Sequence, residues 1–119
     1  MTTATEVLEG LPAAAAFHEA GLRTALERIA GPGRVLDRPI DRIAFASDAS
    51  FYRLIPKAVV LTESVDEVAA LFRLARETKI PMTLRAAGTS LSGQAVTDGL
   101  LVEVARHWRT VTVEDGGKR

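Results

Sequence analysis

Between Ala58 and Val104 the spacing of hydrophobic residues changes several times, and those changes predict the elements of the chain. AVVL, residues 58 to 61, is a short continuous apolar run, the pattern of a strand covered on both faces. Ser64 with Glu67 three positions later is a capping-box spacing that starts a helix. Val68, Leu71, Phe72 and Ala75 then recur at i, i+3, i+4 and i+7, an apolar stripe at helical period. Asp66 and Glu67 stand in the first turn, and Arg73, Arg76 and Lys79 lie toward the end, each sign where the helix dipole favours it. Pro81 closes the helix, and Met82 to Leu84 begin a second strand. Strand, helix, strand in this order is a βαβ unit, with parallel strands and a right-handed crossover.

The flanks are less regular. Leu100 to Val104 (LLVEV) predicts a third strand, and Thr110 to Glu114 (TVTVE) alternates as a half-exposed fourth strand should. Asp115 and Gly116 then signal a hairpin turn with no returning strand after it, so the chain reads as cut within a hairpin. An open strand edge of that kind is expected to pair with a second copy, giving a homo-oligomer. Upstream, residues 1 to 12 read as a polar arm. Ala13 to Ala30 is alanine-rich with Phe17, Leu22, Leu26 and Ile29 near helical spacing, as one helix or two divided at Gly21. Gly31, Pro32 and Gly33 stop it, and residues 34 to 56 read as short turns with one helical turn. The expected division is an arm and helix over 1–33 and an α+β (α/β-like) unit over 34–119, with a small parallel βαβ sheet and its helices.

Composition narrows the function. A chain of 119 residues with 47% hydrophobic and 25% charged residues is about one small globular domain. Fifteen basic residues balance fifteen acidic ones, which argues against nucleic acid and against an anionic membrane surface. No run reaches the length of a membrane span, and MTTATEVLEG lacks the pattern of a secretory signal. With no cysteine, the chain holds neither a disulfide nor a thiolate metal site, and a cytoplasmic location is expected.

RAAGTSLSGQA, residues 85 to 95, has no hydrophobic period and follows the second strand of the βαβ unit. It therefore falls at the carboxyl edge of the sheet, where α/β proteins usually bind ligands. Gly88 and Gly93 permit positive φ and close approach to an anion, and successive amides in such a turn can form an anion nest. Thr89, Ser90 and Ser92 add hydroxyls, and Arg85 offers a charge at the rim. The spacing is neither that of a Walker A loop nor G-x-G-x-x-G. The residues by themselves leave two readings open, a plain surface connection and a phosphate-holding loop for some nucleotide.

The other polar groups have plainer readings. Asp48, Ser50, Tyr52 and Arg53 read as a capped turn with the tyrosine on the sheet, or as a wall near a cofactor. His18 and His107 have no second histidine at ligand spacing, so no metal site is expected. Nothing in order or spacing joins Ser90, His107 and Asp115 into a triad. Trp108 reads as a hydrophobic plug at the sheet edge, RHWR as a solvated bend, and the charges of the 64–79 helix as its wet face.

PMTLRAAGTSLSGQA, residues 81 to 95, resembles the pyrophosphate loop of the vanillyl-alcohol oxidase-type (PCMH-type) FAD-binding family, and within it the D-lactate and glycolate dehydrogenase-like flavoproteins. SDASFYRLIPKAVV, residues 47 to 60, resembles the segment leading into the first parallel strand of that family, and the likeness runs from about Ala44 to Val113. The resemblance implies the first subdomain of a PCMH-type FAD-binding domain. It further implies that Arg85, Ala86, Ala87, Gly88, Thr89, Ser90, Gly93 and Gln94 wrap the FAD pyrophosphate. Ala86 and Ala87 stand where many members have glycine, which amides at negative φ tolerate. The implied whole protein is an oxidoreductase in which FAD takes a hydride from a small 2-hydroxy acid, D-lactate-like or glycolate-like. Catalytic residues, and the cysteines of any iron–sulfur cluster, are expected outside these residues. This segment alone is expected to be inactive, and a non-catalytic binding or assembly module is the alternative. Replacing Gly88 by valine is expected to cost flavin retention more than stability.

Overall fold

The computed structural model describes residues 19 to 119, and the expectations for the N-terminal arm, for positions 13 to 18 of the first helix and for His18 lie outside them. The elements in order are α1 (Glu19–Ala30), β1 (Val35–Leu36), α2 (Pro39–Ala44), β2 (Ala58–Leu61), α3 (Val65–Thr78), β3 (Met82–Arg85) and β4 (Leu100–Glu103). The strands form one sheet in the order β1-β2-β4-β3. β2, β4 and β3 run parallel, while β1 pairs antiparallel with β2. This is an α+β domain built on a mixed sheet. The two strands of the βαβ unit are not neighbours, because β4 inserts between them.

Gly99 shows how close that insertion is. Its carbonyl accepts from the Lys57 amide at 2.8 Å, and next to it the Leu100 amide donates to Pro81 O at 2.8 Å. A Cβ at Gly99 would lie 2.0 Å from Pro81 O, so only glycine fits where the chain enters between β2 and β3.

α3 begins as its capping box predicts. Ser64 is extended (φ −148°, ψ 156°) and its hydroxyl accepts from the Glu67 amide at 3.2 Å. The Glu67 carboxylate turns back to the Ser64 hydroxyl at 3.3 Å and the Glu63 amide at 3.4 Å. It is also paired with the Arg34 guanidinium, which donates to Leu61 O at 3.2 Å as well. Glu67 is therefore a structural joint and not part of a wet face. The helix ends where Lys79 takes a left-handed conformation (φ 59°).

The core lies mainly on one face of the sheet. Leu22, Ala25, Leu26 and Ala30 of α1 and Leu71 and Leu74 of α3 close over Ala58, Val60, Leu100 and Val102. The opposite face carries a smaller group, Val59, Leu61 and Leu101 with Leu36 and Phe45. Each fully buried leucine contributes about 1.5–3 kcal/mol by leaving water. The alternation of 58 and 60 against 59 and 61 explains why AVVL is apolar without a break: both faces are covered.

Several expectations are corrected. The buried stripe of α3 is Ala70, Leu71, Leu74 and Thr78, while Phe72 is 53% exposed. One residue turns a helix by about 100°, so Phe72 falls outside the stripe that Leu71 occupies. The segment 34–56 holds a short strand, β1, as well as the helical turn, and two residues are too few to show a period. Thr110 to Glu114 is not a strand: it has no ladder partner, and Val111 and Val113 are exposed. Its alternation is real, but a strand exists only when another backbone takes its hydrogen bonds. The turn that follows does form. Glu114 and Arg119 exchange main-chain hydrogen bonds of 2.8 and 3.3 Å around Asp115 and the left-handed Gly116. The edge strands of the folded sheet are thus β1 and β3, and residues 110–114 form neither.

Candidate functional site

Residues 86 to 99 leave the carboxyl end of β3 and return as β4, without helix or strand between them. Gly88 (φ 69°) and Gly93 (φ 76°) take the left-handed conformation that the sequence suggested. Among the described residues, the amides of 86 to 91 donate to no main-chain or side-chain acceptor. Ala86, Ala87 and Thr89 are exposed, and Gly88 and Ser90 half-buried. Gln94 is exposed and Gly93 half-buried, so the segment is a surface loop with unclaimed donors along its first half.

The side chains of the loop are used in ways the sequence did not show. Ser90 organises the tip: its hydroxyl oxygen accepts from the amides of Ser92 and Gln94, each at 3.2 Å, and donates to Gln94 Oε1 at 3.2 Å. That hydroxyl builds the turn and is not a spare donor. Arg85 is not a free charge at the rim. Its Nη1 donates to Ser47 O at 3.0 Å, Phe45 O at 3.3 Å and Ala95 O at 3.4 Å, and the guanidinium stacks on the Phe45 ring at 5.3 Å. It is a strut that joins both ends of the loop to the segment after α2.

The two glycines are needed on their protein side. A Cβ on Gly88 would fall 2.3–2.6 Å from the Arg85 guanidinium atoms, and one on Gly93 would fall 2.7 Å from Tyr52 Cδ2. Close approach here is of loop to protein, which holds the main chain flat against its support.

That support is the turn 47–53. Asp48 Oδ1 accepts from the Ser50 amide at 2.8 Å and from the Ser50 hydroxyl, which in turn accepts from the Tyr52 amide at 3.1 Å. Asp48 Oδ2 accepts from the Ala95 amide at 3.2 Å, and the Ala49 amide donates to Gly88 O at 3.0 Å. The Ser50 hydroxyl, then the amides of Ser50 and Ala95, hold the Asp48 carboxyl below its usual range, against the desolvation that would raise it. Ser47 and Arg53 close the turn as an antiparallel bridge. The capped turn is present, and its tyrosine packs on the loop rather than on the sheet.

A second polar group, unseen in the sequence, sits at the same edge. Thr62 is fully buried and donates through Oγ1 to Glu103 O at 2.8 Å. Trp108 Nε1 donates to Thr62 O at 2.9 Å and to Thr62 Oγ1 at 3.1 Å, so this tryptophan is pinned by its N–H and is more than an apolar plug. Glu103 is buried with Oε1 accepting from the amides of Ala105 and Arg106, at 3.0 and 2.8 Å. Glu63, Ser64, Val65, His107, Trp108 and Thr110 line an open groove of about 330 Å³ beside this group. Asp115 pairs with Arg119 in the terminal turn.

Comparison with known proteins follows the same segment. Residues 56–119 match the family described as FAD binding domain. D-2-hydroxyglutarate dehydrogenase of Escherichia coli (strain K12) is 38% identical over 74 residues, which cover 60% of this chain and 7% of that protein. Glycolate oxidase subunit GlcD of Bacillus subtilis (strain 168) is 27% identical over 92 residues, covering 76% of this chain and 20% of the subunit. Among solved structures, Physcomitrella patens BBE-like 1 wild-type shares the fold with a TM-score of 0.55 at 19% identity, over 74% of this chain and 20% of that one. The chain spans a fifth or less of the length of each of these three proteins.

Proposed function

The chain belongs to the FAD binding domain family, and we propose that its loop 85–95 holds the pyrophosphate of FAD in an oxidoreductase acting on a small 2-hydroxy acid. The observation that carries this reading is the run of unclaimed amides at 86 to 91, at the carboxyl edge of the parallel strands β2, β4 and β3. A diphosphate needs several donors converging on its oxygens, and backbone amides supply them without many cations. Ala86, Ala87, Gly88, Thr89 and Ser90 would face it through the main chain. Arg85, Gly93 and Gln94 would shape the loop that does so. The Thr89 and Ser92 hydroxyls find no partner within the described residues and are suited to the same anion.

Bound FAD would supply the acceptor for a hydride from the substrate carbon bearing the hydroxyl. The substrate class rests on the relatives, whose names place them on D-2-hydroxyglutarate and glycolate, both 2-hydroxy acids. In this reading, residues 34–119 carry the FAD-holding part and α1 is packed beneath the sheet as its support. The groups that contact the flavin ring and substrate belong to segments other than this loop.

The test is anaerobic titration of the purified whole protein that carries this segment, with flavin absorbance followed. FAD should co-purify or bind on addition, and a 2-hydroxy acid such as D-2-hydroxyglutarate, glycolate or D-lactate should bleach it while the matching 2-oxo acid does not. Failure to take up FAD, or FAD that no 2-hydroxy acid reduces, would overturn the respective half of the proposal.

A further inference from the structure

We propose that Asp48 is a positioning residue for the cofactor loop, setting its binding shape from outside the loop; the inference rests on the assignment of that loop to the FAD pyrophosphate. One carboxylate performs two tasks. Through Oδ1 it folds its own turn around Ser50, and through Oδ2 it takes the amide of Ala95, 47 residues away in sequence. Ala95 is 8% exposed, so without Asp48 its amide would be buried with no acceptor.

Apart from the Arg85 strut at its two ends, the loop has little else to hold it. Its residues 86 to 94 contribute nothing to either hydrophobic cluster, and its own hydrogen bonds are the local ones around Ser90. Besides the Arg85 bond to Ser47 O, the turn 47–53 touches it at three places: the Ala49 amide on Gly88 O, the Tyr52 ring against Gly93, and Asp48 on Ala95. All three depend on the fold that Asp48 gives to its turn, because the Ser50 hydroxyl it holds is the acceptor for the Tyr52 amide. These contacts consume the carbonyl of Gly88 and the amide of Ala95 and leave the amides of 86 to 91 for the ligand. A loop braced beforehand binds more tightly than one that must be ordered on binding.

The experiment compares wild type, Asp48→Ala and Asp48→Asn in the whole protein that carries this segment by two measurements. The first is hydrogen–deuterium exchange without FAD. Asp48→Ala should speed exchange at the hydrogen-bonded loop amides, Ser92, Gln94 and Ala95, at least tenfold while the amides of β2 and β4 keep their wild-type protection. The second is the FAD dissociation constant, which should rise at least tenfold in Asp48→Ala and less in Asp48→Asn, whose amide oxygen keeps one of the two contacts. Unchanged exchange in the loop, or loss of protection throughout the sheet, would overturn the proposal. So would a loosened loop with unaltered FAD affinity, provided that Gly93→Val weakens FAD binding in the same assay. If Gly93→Val also leaves FAD affinity unaltered, the pyrophosphate assignment has failed, and the positioning role toward FAD falls with it. Should Asp48→Ala not fold, Asp48→Asn and Ser50→Ala carry the same two measurements.

Discussion

Replacing Gly88 by alanine puts a methyl group where the Arg85 guanidinium now lies, and the cost can be divided in two. The first part is conformational. Gly88 has φ 69°, and a residue with a Cβ pays about 1–2 kcal/mol to stay there. The second part is steric. The new Cβ would sit 2.3 Å from Nη2 and 2.5 Å from Cζ, so the guanidinium must leave. Leaving forfeits the bonds from Nη1 to Phe45 O, Ser47 O and Ala95 O, at 3.3, 3.0 and 3.4 Å. Three long bonds from one charged nitrogen contribute a net of about 1–3 kcal/mol. Gly88→Ala should therefore cost about 2–5 kcal/mol, a large part of the stability of a small domain. Arg85→Ala alone forfeits the same bonds, about 1–3 kcal/mol. In that background Gly88→Ala should cost only its conformational part, about 1–2 kcal/mol. Urea denaturation of the four proteins without FAD measures the cycle. Costs that add to within about 0.5 kcal/mol would refute the argument that Gly88 is glycine because of Arg85. The expectation from sequence, that a side chain at Gly88 harms flavin retention more than stability, is replaced by one in which both fall together.

Two further outcomes follow from local geometry. Asp48 ionises below the usual carboxylate range in the folded chain and within that range once unfolded. Its contribution is thus fully present above the usual range and is lost as pH falls through the folded value. Acid should accordingly loosen the loop 86–95, and Asp48→Asn should remove that part of the acid response in hydrogen exchange; an identical acid profile for both proteins would contradict it. Ser64→Ala removes the acceptor for the Glu67 amide and should cost about 1 kcal/mol by thermal or urea unfolding, whereas Ser64→Asp should restore most of it.

The elements of the βαβ unit were legible because each is dictated locally. AVVL, the Ser64–Glu67 cap and the strand at Met82 depend on neighbours within a few positions, and the structure reproduces them. The loop was legible as a loop for the same reason: Gly88 and Gly93 remove Cβ atoms where φ is positive. The resemblance of residues 81–95 to an FAD-binding loop supplied the cofactor, which periodicity and composition left open. Residues distant in sequence decided the rest. Insertion of β4 between β2 and β3 hangs on contacts of Gly99 with Lys57 and Pro81, and no local pattern encodes strand order. TVTVE has the alternation of a strand and stays irregular, because a ladder needs a partner that its own residues do not supply. Arg85 looked like a phosphate ligand by its type and place. Three carbonyls, two of them some forty residues away, take its charge first. The chemistry available at each position was written in the sequence, but which partner claimed it was a matter of distance in the folded chain.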